Sequence, residues 1–163
     1  MNGATVDVEA LTAALASTSV RTRFTAKLVR VPGSDCLWWT GAVSGKGHGR
    51  FWVRANHVVV AHRFAFALAH GVDALAAAPM LAHGCDNPLC QQIGPHHVVA
   101  STAVLNRREW AQRRRVIGSP LTDPRGALQR ARTLRDLARV DPSAVAAELD
   151  RLRRQSGEQL PIW

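Results

Sequence analysis

The amino-acid sequence predicts an α+β fold in which a small antiparallel sheet is followed by a C-terminal helical hairpin. Between residues 36 and 60, β-branched and aromatic residues are interrupted by glycines, a pattern typical of short strands. A second, shorter pair of strands is predicted on either side of a loop at residues 84–95 that is rich in Gly, Pro and Asn. Beyond residue 125, apolar residues recur at helical spacing, which indicates two packed helices.

The N-terminal part of the sequence predicts a short amphipathic helix. Asp7 is the expected N-cap, and Val8, Leu11 and Leu15 fall on one stripe of that helix. A polar stretch follows, and the sequence Pro-Gly-Ser-Asp at residues 32–35 is typical of a turn. We therefore treat residues 1–30 as an N-terminal helical segment that precedes the sheet.

The central part of the sequence predicts short strands and helices. Three strands are expected at residues 37–43, 50–54 and 57–60. A loop at residues 44–49 and a tight turn at residues 55–56 join them, and a helix over residues 61–69 ends at Gly71. Further strands are predicted at residues 80–83 and 98–100. Ser101 or Thr102 then caps a helix that runs to about residue 115.

The last part of the sequence predicts a basic helical region at residues 117–163. After a linker at residues 117–124, helices are expected over about 125–139 and 142–155. Asp141 is the expected N-cap of the second helix, and Pro142 suits its first helical position. A thin apolar seam should join the two helices, formed by Ala127, Ala131, Leu134, Ala138, Val145, Leu149 and Leu152.

The sequence is strongly basic. Its 163 residues include 21 Lys+Arg and 12 Asp+Glu, a formal net charge of +9. Residues 107–154 hold 13 arginines against six acidic residues, so seven of the nine net charges lie there. This charge favours a polyanionic partner, and nucleic acid over a membrane surface. No apolar run reaches the roughly 18 residues of a membrane span, and no secretory signal is visible.

Three cysteines suggest a metal site. Cys36, Cys85 and Cys90 cannot all pair with one another in disulfides, and His96 and His97 follow closely. Three thiolates and one imidazole are typical of a tetrahedral structural zinc site, which would hold a loop of little apolar content in shape. The alternative is three buried thiols without a metal, because free cysteine packs as a small apolar residue.

An ordered series of motifs in residues 35–115 resembles HNH endonucleases of the phage and homing type. The motifs are DCLWWTGA at residues 35–42, GHGRF at 47–51, AHR at 61–63, LAHGCDNPLC at 81–90, PHHV at 95–98, and Asn106. This series is similar to the zinc-stapled nucleases built on a ββα-metal (His-Me) finger. The resemblance implies that residues 31–116 are a nuclease domain containing such a finger.

The resemblance also assigns roles to individual residues. It implies that His83 is the general base and that Asn106 holds a catalytic divalent ion. The zinc ligands it implies are Cys36, Cys85, Cys90 and His97. His97 rather than His96 follows the family's Pro-x-His-apolar pattern, although six residues separate it from Cys90 where four are common. Two further departures are a histidine at position 48 where tyrosine is usual, and Ser101-Thr102 where Gly-Thr is usual.

Phosphodiester hydrolysis is consistent with these residue types. A histidine with a pKa near 6.5 can take a proton from water at neutral pH. Mg²⁺, for which Mn²⁺ can substitute, neutralises charge on the phosphate and needs only one or two protein oxygens. Taken separately, His83 is also readable as a structural histidine at a strand end, and Asn106 as a surface residue of a helix.

The expected partner is double-stranded DNA. Arg50 and Arg63 are candidates for contacts to the phosphate, and Arg113, Arg114 and Arg115 for contacts along the backbone. The alternatives are exposed solubilising arginines or a dimer seam, so a homodimer stays open. We expect a cytoplasmic enzyme of a bacterial or phage-infected cell, with no membrane partner. The rival hypothesis is a non-catalytic, zinc-stabilised DNA-binding protein.

Overall fold

The computed structural model describes residues 7–158, with the backbone alone for residues 156–158. The architecture is α+β with small antiparallel sheets, which confirms the predicted class. The described helices are α1 (Val8–Ala16), α2 (Thr18–Thr25), α3 (Ala61–His70), α4 (Val72–Ala77), α5 (Ala103–Arg114), α6 (Gly126–Val140) and α7 (Pro142–Glu158). The described strands are β1 (Leu28–Arg30), β2 (Leu37–Trp39), β3 (Val43–Ser44), β4 (His48–Arg54), β5 (His57–Val60), β6 (Met80–His83) and β7 (Val98–Ser101).

The N-terminal helix begins where the sequence predicts. Asp7 caps α1, its side chain accepting a hydrogen bond of 2.9 Å from the backbone N–H of Ala10. Leu11 is buried, but Val8 is 49% exposed, so the predicted stripe is wrong at that position. The predicted segments before residue 7 and after residue 158 lie outside the described residues. Among the helices within the described range, none is long and apolar enough to cross a bilayer.

The polar stretch after α1 is a helix, which the sequence analysis did not predict. Phe24 anchors this helix, α2, and its ring packs against those of Trp39, Phe51 and Phe64 at centroid distances of 5.4, 5.1 and 4.8 Å. All four rings are buried. One aromatic side chain therefore holds an otherwise polar helix against the sheet.

The strands form three antiparallel units in the described part of the chain: β1–β2, β3–β4–β5 and β6–β7. The strand predicted at residues 37–43 is wrong in length, because the strand is interrupted around Gly41, between β2 and β3. A Cβ atom at Gly41 would come within 2.6 Å of the buried Trp39 ring, so only glycine fits there. The predicted loop at residues 44–49 is also too long, since β4 already begins at His48. The tight turn is confirmed, with Asn56 at a φ of 59°.

The elements that follow match the prediction more closely. Helix α3 is confirmed and ends at Gly71, whose φ of 90° suits glycine. Strands β6 and β7 pair antiparallel, with His83 opposite Val98. Thr102, and not Ser101, caps α5 by accepting a hydrogen bond of 3.2 Å from the N–H of Leu105. Helix α4 was not predicted.

The C-terminal hairpin packs onto the sheet instead of standing apart from it. Asp141 caps α7 as predicted, and the seam buries Ala131, Leu134, Ala138, Val145 and Leu152. Ala127 is exposed, so its assignment to the seam is wrong. A Cβ atom at Gly47 would lie 2.7 Å from that of Ala131, which shows how closely α6 approaches the β3–β4 turn. One buried cluster consequently includes residues from all three predicted segments of the chain.

Candidate functional site

Four potential metal ligands converge beside β6. One ligand atom from each of Cys36, Cys85, Cys90 and His97 lies within 4.8 Å of every other. Nδ1 of His97 is 3.8 Å from the sulfur of Cys36 and 3.5 Å from that of Cys90. The neighbouring His96 is exposed. This Cys/His cluster can bind a metal ion such as zinc, because three thiolates and an imidazole are one of the ligand sets of tetrahedral structural zinc sites.

The loop between β6 and β7 reaches Cys36 through backbone pairing with β2. The N–H of Trp39 donates to the carbonyl of Leu89 at 2.9 Å, and the N–H of Gln91 donates to that of Leu37 at 2.7 Å. These bonds place Cys90 beside the strand that follows Cys36. The loop itself turns at Asp86, whose φ of 52° lies in the left-handed region.

The three thiols of the cluster share their protons unequally. Hydrogen bonds from Cys85 and Cys90 lower the pKa of Cys36 to about 2. The hydrogen bond with Cys36 raises the pKa of Cys85 to about 11, and the same contact raises that of Cys90. These hydrogen bonds favour one shared thiolate within the cluster. Binding of a metal to all three sulfurs releases the remaining protons, so occupancy falls as the pH is lowered.

A second cluster consists of three histidines from distant parts of the sequence. His48 begins β4, His62 lies in the first turn of α3, and His83 ends β6. Nε2 of His83 is 3.1 Å from Nδ1 of His62. The rings of His48 and His83 stack with centroids 5.5 Å apart, and each packs edge-on against His62. We call these three residues the histidine cluster.

Burial keeps the histidine cluster uncharged. It lowers the pKa of His83 to about 3 and that of His62 well below its ordinary value. For His48, burial lowers the pKa while a hydrogen bond to the Pro88 backbone partly offsets the effect. Neutral imidazole is the form that accepts a proton or binds a metal ion. The histidine cluster can therefore do either at neutral pH.

Both clusters border one cavity of about 790 Å³. His83 and Asn106 line this cavity together, as the sequence analysis expects of a shared site. Cys36 and Cys85 lie at its edge, and His97 does not line it. Arg130 and Arg153 of the C-terminal hairpin also line the cavity, so the hairpin forms part of the site wall. The sequence analysis did not assign these two arginines to the site.

Arg113 is held in an ion pair, although the sequence analysis assigned it to DNA. Both carboxylate oxygens of Asp86 lie 2.9 Å from its Nε, and Glu109 lies 3.5 Å from Nη1. Burial raises the pKa of Asp86, and the bonds from Arg113 oppose that shift. Arg113 also donates to the carbonyl of His83 at 3.5 Å. Arg113 therefore links α5 to the end of β6 and to the loop between β6 and β7.

The other predicted phosphate contacts lie outside the cavity wall. Arg50 and Arg63 are partly buried, and neither side chain has a hydrogen bond or ion pair within residues 7–158. Burial lowers the pKa of Arg63. Arg114 and Arg115 are exposed at the end of α5, and the guanidinium of Arg114 lies 4.9 Å from the centre of the Trp110 ring. These four arginines are available to an external anion.

The histidine cluster is the feature that sequence reasoning missed. His83 was identified, but His62 had no assigned role and His48 was only a departure from the family pattern. Nothing in their spacing predicts the contact, because the three residues share no helix or strand. The useful signal is indirect, since all three fall within the motifs that carry the family resemblance.

The chain is similar to two proteins of Escherichia phage T7. It is 41% identical to Protein 7.7 over 59 residues, which are 36% of this chain and 43% of that protein. It is 32% identical to Protein 2.8 over 88 residues, or 53% of this chain and 57% of that protein. The chain thus spans about half the length of these curated relatives. No family model and no solved structure matches the sequence. The two similarities support a bacteriophage relationship.

Proposed function

We propose that this protein is a metal-dependent DNA endonuclease of the HNH type. The observation that carries the proposal is the single cavity lined by His83, Asn106 and two cysteines of the Cys/His cluster. A proton acceptor, an oxygen ligand and a structural metal site are thereby brought to one place. The order of β6, the cysteine loop, β7 and α5 supports a ββα-metal finger.

Zinc has a structural role in this proposal. The Cys/His cluster supplies four zinc ligands of the right type within 4.8 Å of one another. Its ligands come from the loop between β6 and β7 and from the residue before β2. A metal bound there holds His83, at the end of β6, in a defined position relative to α5.

A second divalent ion would be held at Asn106. Asn106 and Asp86 both line the cavity beside His83, but the Asp86 carboxylate is already paired with Arg113. The carboxamide oxygen of Asn106 fits Mg²⁺ or Mn²⁺, because these ions take few protein ligands when phosphate supplies others. When bound, the ion neutralises charge on the phosphate and stabilises the departing 3′ oxygen.

His83 accepts the proton of the attacking water in the proposed reaction. It is neutral at pH 7, because burial lowers its pKa to about 3. Its Nε2 lies 3.1 Å from Nδ1 of His62, a contact that orients the ring. Its Nδ1 is buried and has no hydrogen-bond partner among residues 7–158. We assign proton transfer to this nitrogen, which requires the ring to become accessible to water when DNA binds.

Helix α5 supports a nucleic-acid interface. Within the described chain it buries none of its side chains, although it stands next to the cavity. Arg107, Arg108 and Arg114 are exposed along it. A helix that is basic and largely solvent-exposed is suited to contact DNA phosphates. The unpaired guanidinium of Arg63, one residue after His62, is a further phosphate contact in this proposal.

The similarity to phage proteins supports a role in a phage-infected cell. The proposed substrate is double-stranded DNA, cut to spread a mobile gene or during another step of phage growth. A monomer with one active site nicks one strand, whereas a homodimer brings two sites and cuts both.

Nicking of supercoiled plasmid at low salt with Mg²⁺ or Mn²⁺ tests the proposal. We expect the wild-type protein to nick and the His83→Ala and Asn106→Ala variants to lose at least about a hundredfold in rate. His70→Ala is the matched control, because His70 is an exposed histidine outside the cavity. The proposal fails if wild-type protein with its zinc in place does not nick, or if the His83 variant nicks at the wild-type rate.

The burial of His83 favours one alternative function. A histidine with a pKa of about 3 is a weak base, and both of its ring nitrogens are turned away from solvent or paired. A zinc-stabilised DNA-binding protein without catalysis would tolerate such a residue. In that case both the wild-type and the His83→Ala proteins shift DNA in a gel and neither cuts it.

A further inference from the structure

The histidine cluster is built like a metal site in its own right. One donor atom from each of His48, His62 and His83 lies within 4.8 Å of the other two. Three elements, β4, α3 and β6, supply one ring each. The cluster contains no carboxylate and no thiol, so its donor set is entirely imidazole.

The spacing of the donors suits a tetrahedral ion. Two ligand nitrogens at about 2.0–2.1 Å from a tetrahedral zinc ion are separated by about 3.3 Å. Nε2 of His83 and Nδ1 of His62 are already 3.1 Å apart. The third donor, on His48, lies within 4.8 Å of the other two, so a movement of at most about 1.5 Å completes the set. Rotation about its side-chain torsions supplies such a movement.

Two buried nitrogens in this cluster have no partner. Nδ1 of His48 and Nδ1 of His83 are inaccessible to solvent and make no hydrogen bond with any residue the structure describes. Buried polar atoms of proteins are nearly always satisfied, and a bound ion is one way in which they are. A cation bound through Nδ1 of His48, Nδ1 of His62 and Nε2 of His83 would give the orphan nitrogen of His48 a partner, and Nδ1 of His83 would then carry the ring proton.

We propose that His48, His62 and His83 bind one divalent transition-metal ion of borderline softness, such as Zn²⁺, Co²⁺ or Ni²⁺. Imidazole selects these ions, whereas Mg²⁺ and Ca²⁺ require oxygen ligands that this cluster lacks. The positive charges of Lys46 and Arg63 act on His48 and His62 and oppose a bound cation. The ion therefore binds more weakly here than at the Cys/His cluster.

Binding at the histidine cluster also regulates cleavage, an inference that rests on the proposed function. An ion held at Nε2 of His83 fixes the ring proton on Nδ1, the nitrogen assigned to accept the proton of water, so Nδ1 can no longer act as the base. Micromolar transition metal should then inhibit nicking supported by Mg²⁺. The binding of the ion is a separate matter that does not require the protein to cut DNA.

Metal stoichiometry tests the proposed site. Protein dialysed against excess Zn²⁺ should retain about two ions per chain, one at each cluster. The His48→Gln variant should retain about one, and His57→Gln, a control histidine that pairs with Asp7 on the surface, should match the wild type. The proposal is overturned if the wild-type chain retains one ion or fewer, or if His48→Gln retains as many as the wild type.

Histidine-ring NMR of the wild-type protein provides a second test that needs no variant. Addition of Zn²⁺ beyond the first equivalent should shift the ring nitrogens of the three clustered histidines and leave those of His57 and His70 unchanged. Unshifted rings in the histidine cluster would refute the site even if His48→Gln misfolds. If Zn²⁺ stopped nicking without shifting these rings, the inhibition would not come from the histidine cluster and the proposed site would be refuted.

Discussion

The ion pair between Arg113 and Asp86 leads to a prediction that separates a structural role from a DNA contact. The Asp86 side chain is 11% exposed and that of Arg113 is 26% exposed. Replacement of Arg113 by methionine keeps much of the packing volume but leaves a largely buried carboxylate without its partner. Because α5 buries no side chain of its own, we expect this pair to hold the helix against the loop between β6 and β7.

The expected cost follows from the burial of the pair. Breaking a fully buried pair by removing one partner costs about 3–5 kcal/mol, and breaking an exposed pair costs about 0.2–1 kcal/mol. This pair is intermediate, so Arg113→Met should lower the free energy of unfolding by about 2 kcal/mol, or Tm by about 4–8 °C. Arg114→Met, on the exposed side of α5, should cost at most about 1 kcal/mol.

Urea unfolding at pH 7 and pH 5 is the assay. Burial raises the pKa of Asp86 even in the presence of Arg113, and removal of the guanidinium raises it further. The folded variant therefore binds a proton more readily than the wild type, and its deficit should shrink as the pH falls. Equal stability of Arg113→Met and Arg114→Met at pH 7 would refute the structural role. So would a deficit that grows toward pH 5.

Three further predictions concern metal, packing and pH. Cys90→Ser should lower the zinc content by about one ion per chain relative to the wild type, measured by elemental analysis, and an unchanged content would contradict the assigned ligands. Leu134→Ala should lower the free energy of unfolding by about 2–5 kcal/mol, whereas Leu68→Ala, at 41% exposed, should cost far less. The folded pKa of His83, about 3, lies below the unfolded value of 6.5, so its contribution to stability is present above pH 6.5 and lost as the pH falls toward 3. At matched metal content, the loss of stability between pH 8 and pH 5 should be about 2 kcal/mol smaller in His83→Gln than in the wild type; an equal loss would refute the shift.

Local interactions account for most of the fold that the sequence predicted. Asp7 and Asp141 were expected to cap helices, and Thr102 was one of two candidates for a third cap. Each of the three accepts a hydrogen bond from a nearby backbone N–H. A cap needs only the residues of one helical turn, so it can be recognised in the sequence. The pairing of β6 with β7 was predicted because both strands flank one loop whose Gly, Pro and Asn residues are visible in the sequence.

Long-range packing explains what the prediction missed. Phe24 is a lone aromatic in a polar stretch, and only its contacts with Trp39 and Phe64 make α2 a stable element. Gly41 breaks a run of strand-forming residues because a side chain there would collide with a buried ring. Neither effect leaves a periodic pattern in the sequence, since α2 depends on rings from other parts of the chain and Gly41 depends on how the buried ring of Trp39 is packed.

The candidate site divides in the same way. The sequence by itself predicted a Cys/His metal cluster, because Cys85, Cys90 and the pair His96 and His97 lie within one loop and are residue types that bind zinc. The structure brings His97 to the cysteines and leaves His96 exposed. Tertiary structure alone brought His48 and His62 to His83, and it alone separated Arg113 from the other arginines of α5. Residue type and spacing predict the interactions between residues that are close together in the sequence. Burial and the distance between remote side chains arise only when the sheet, helices and loop pack together.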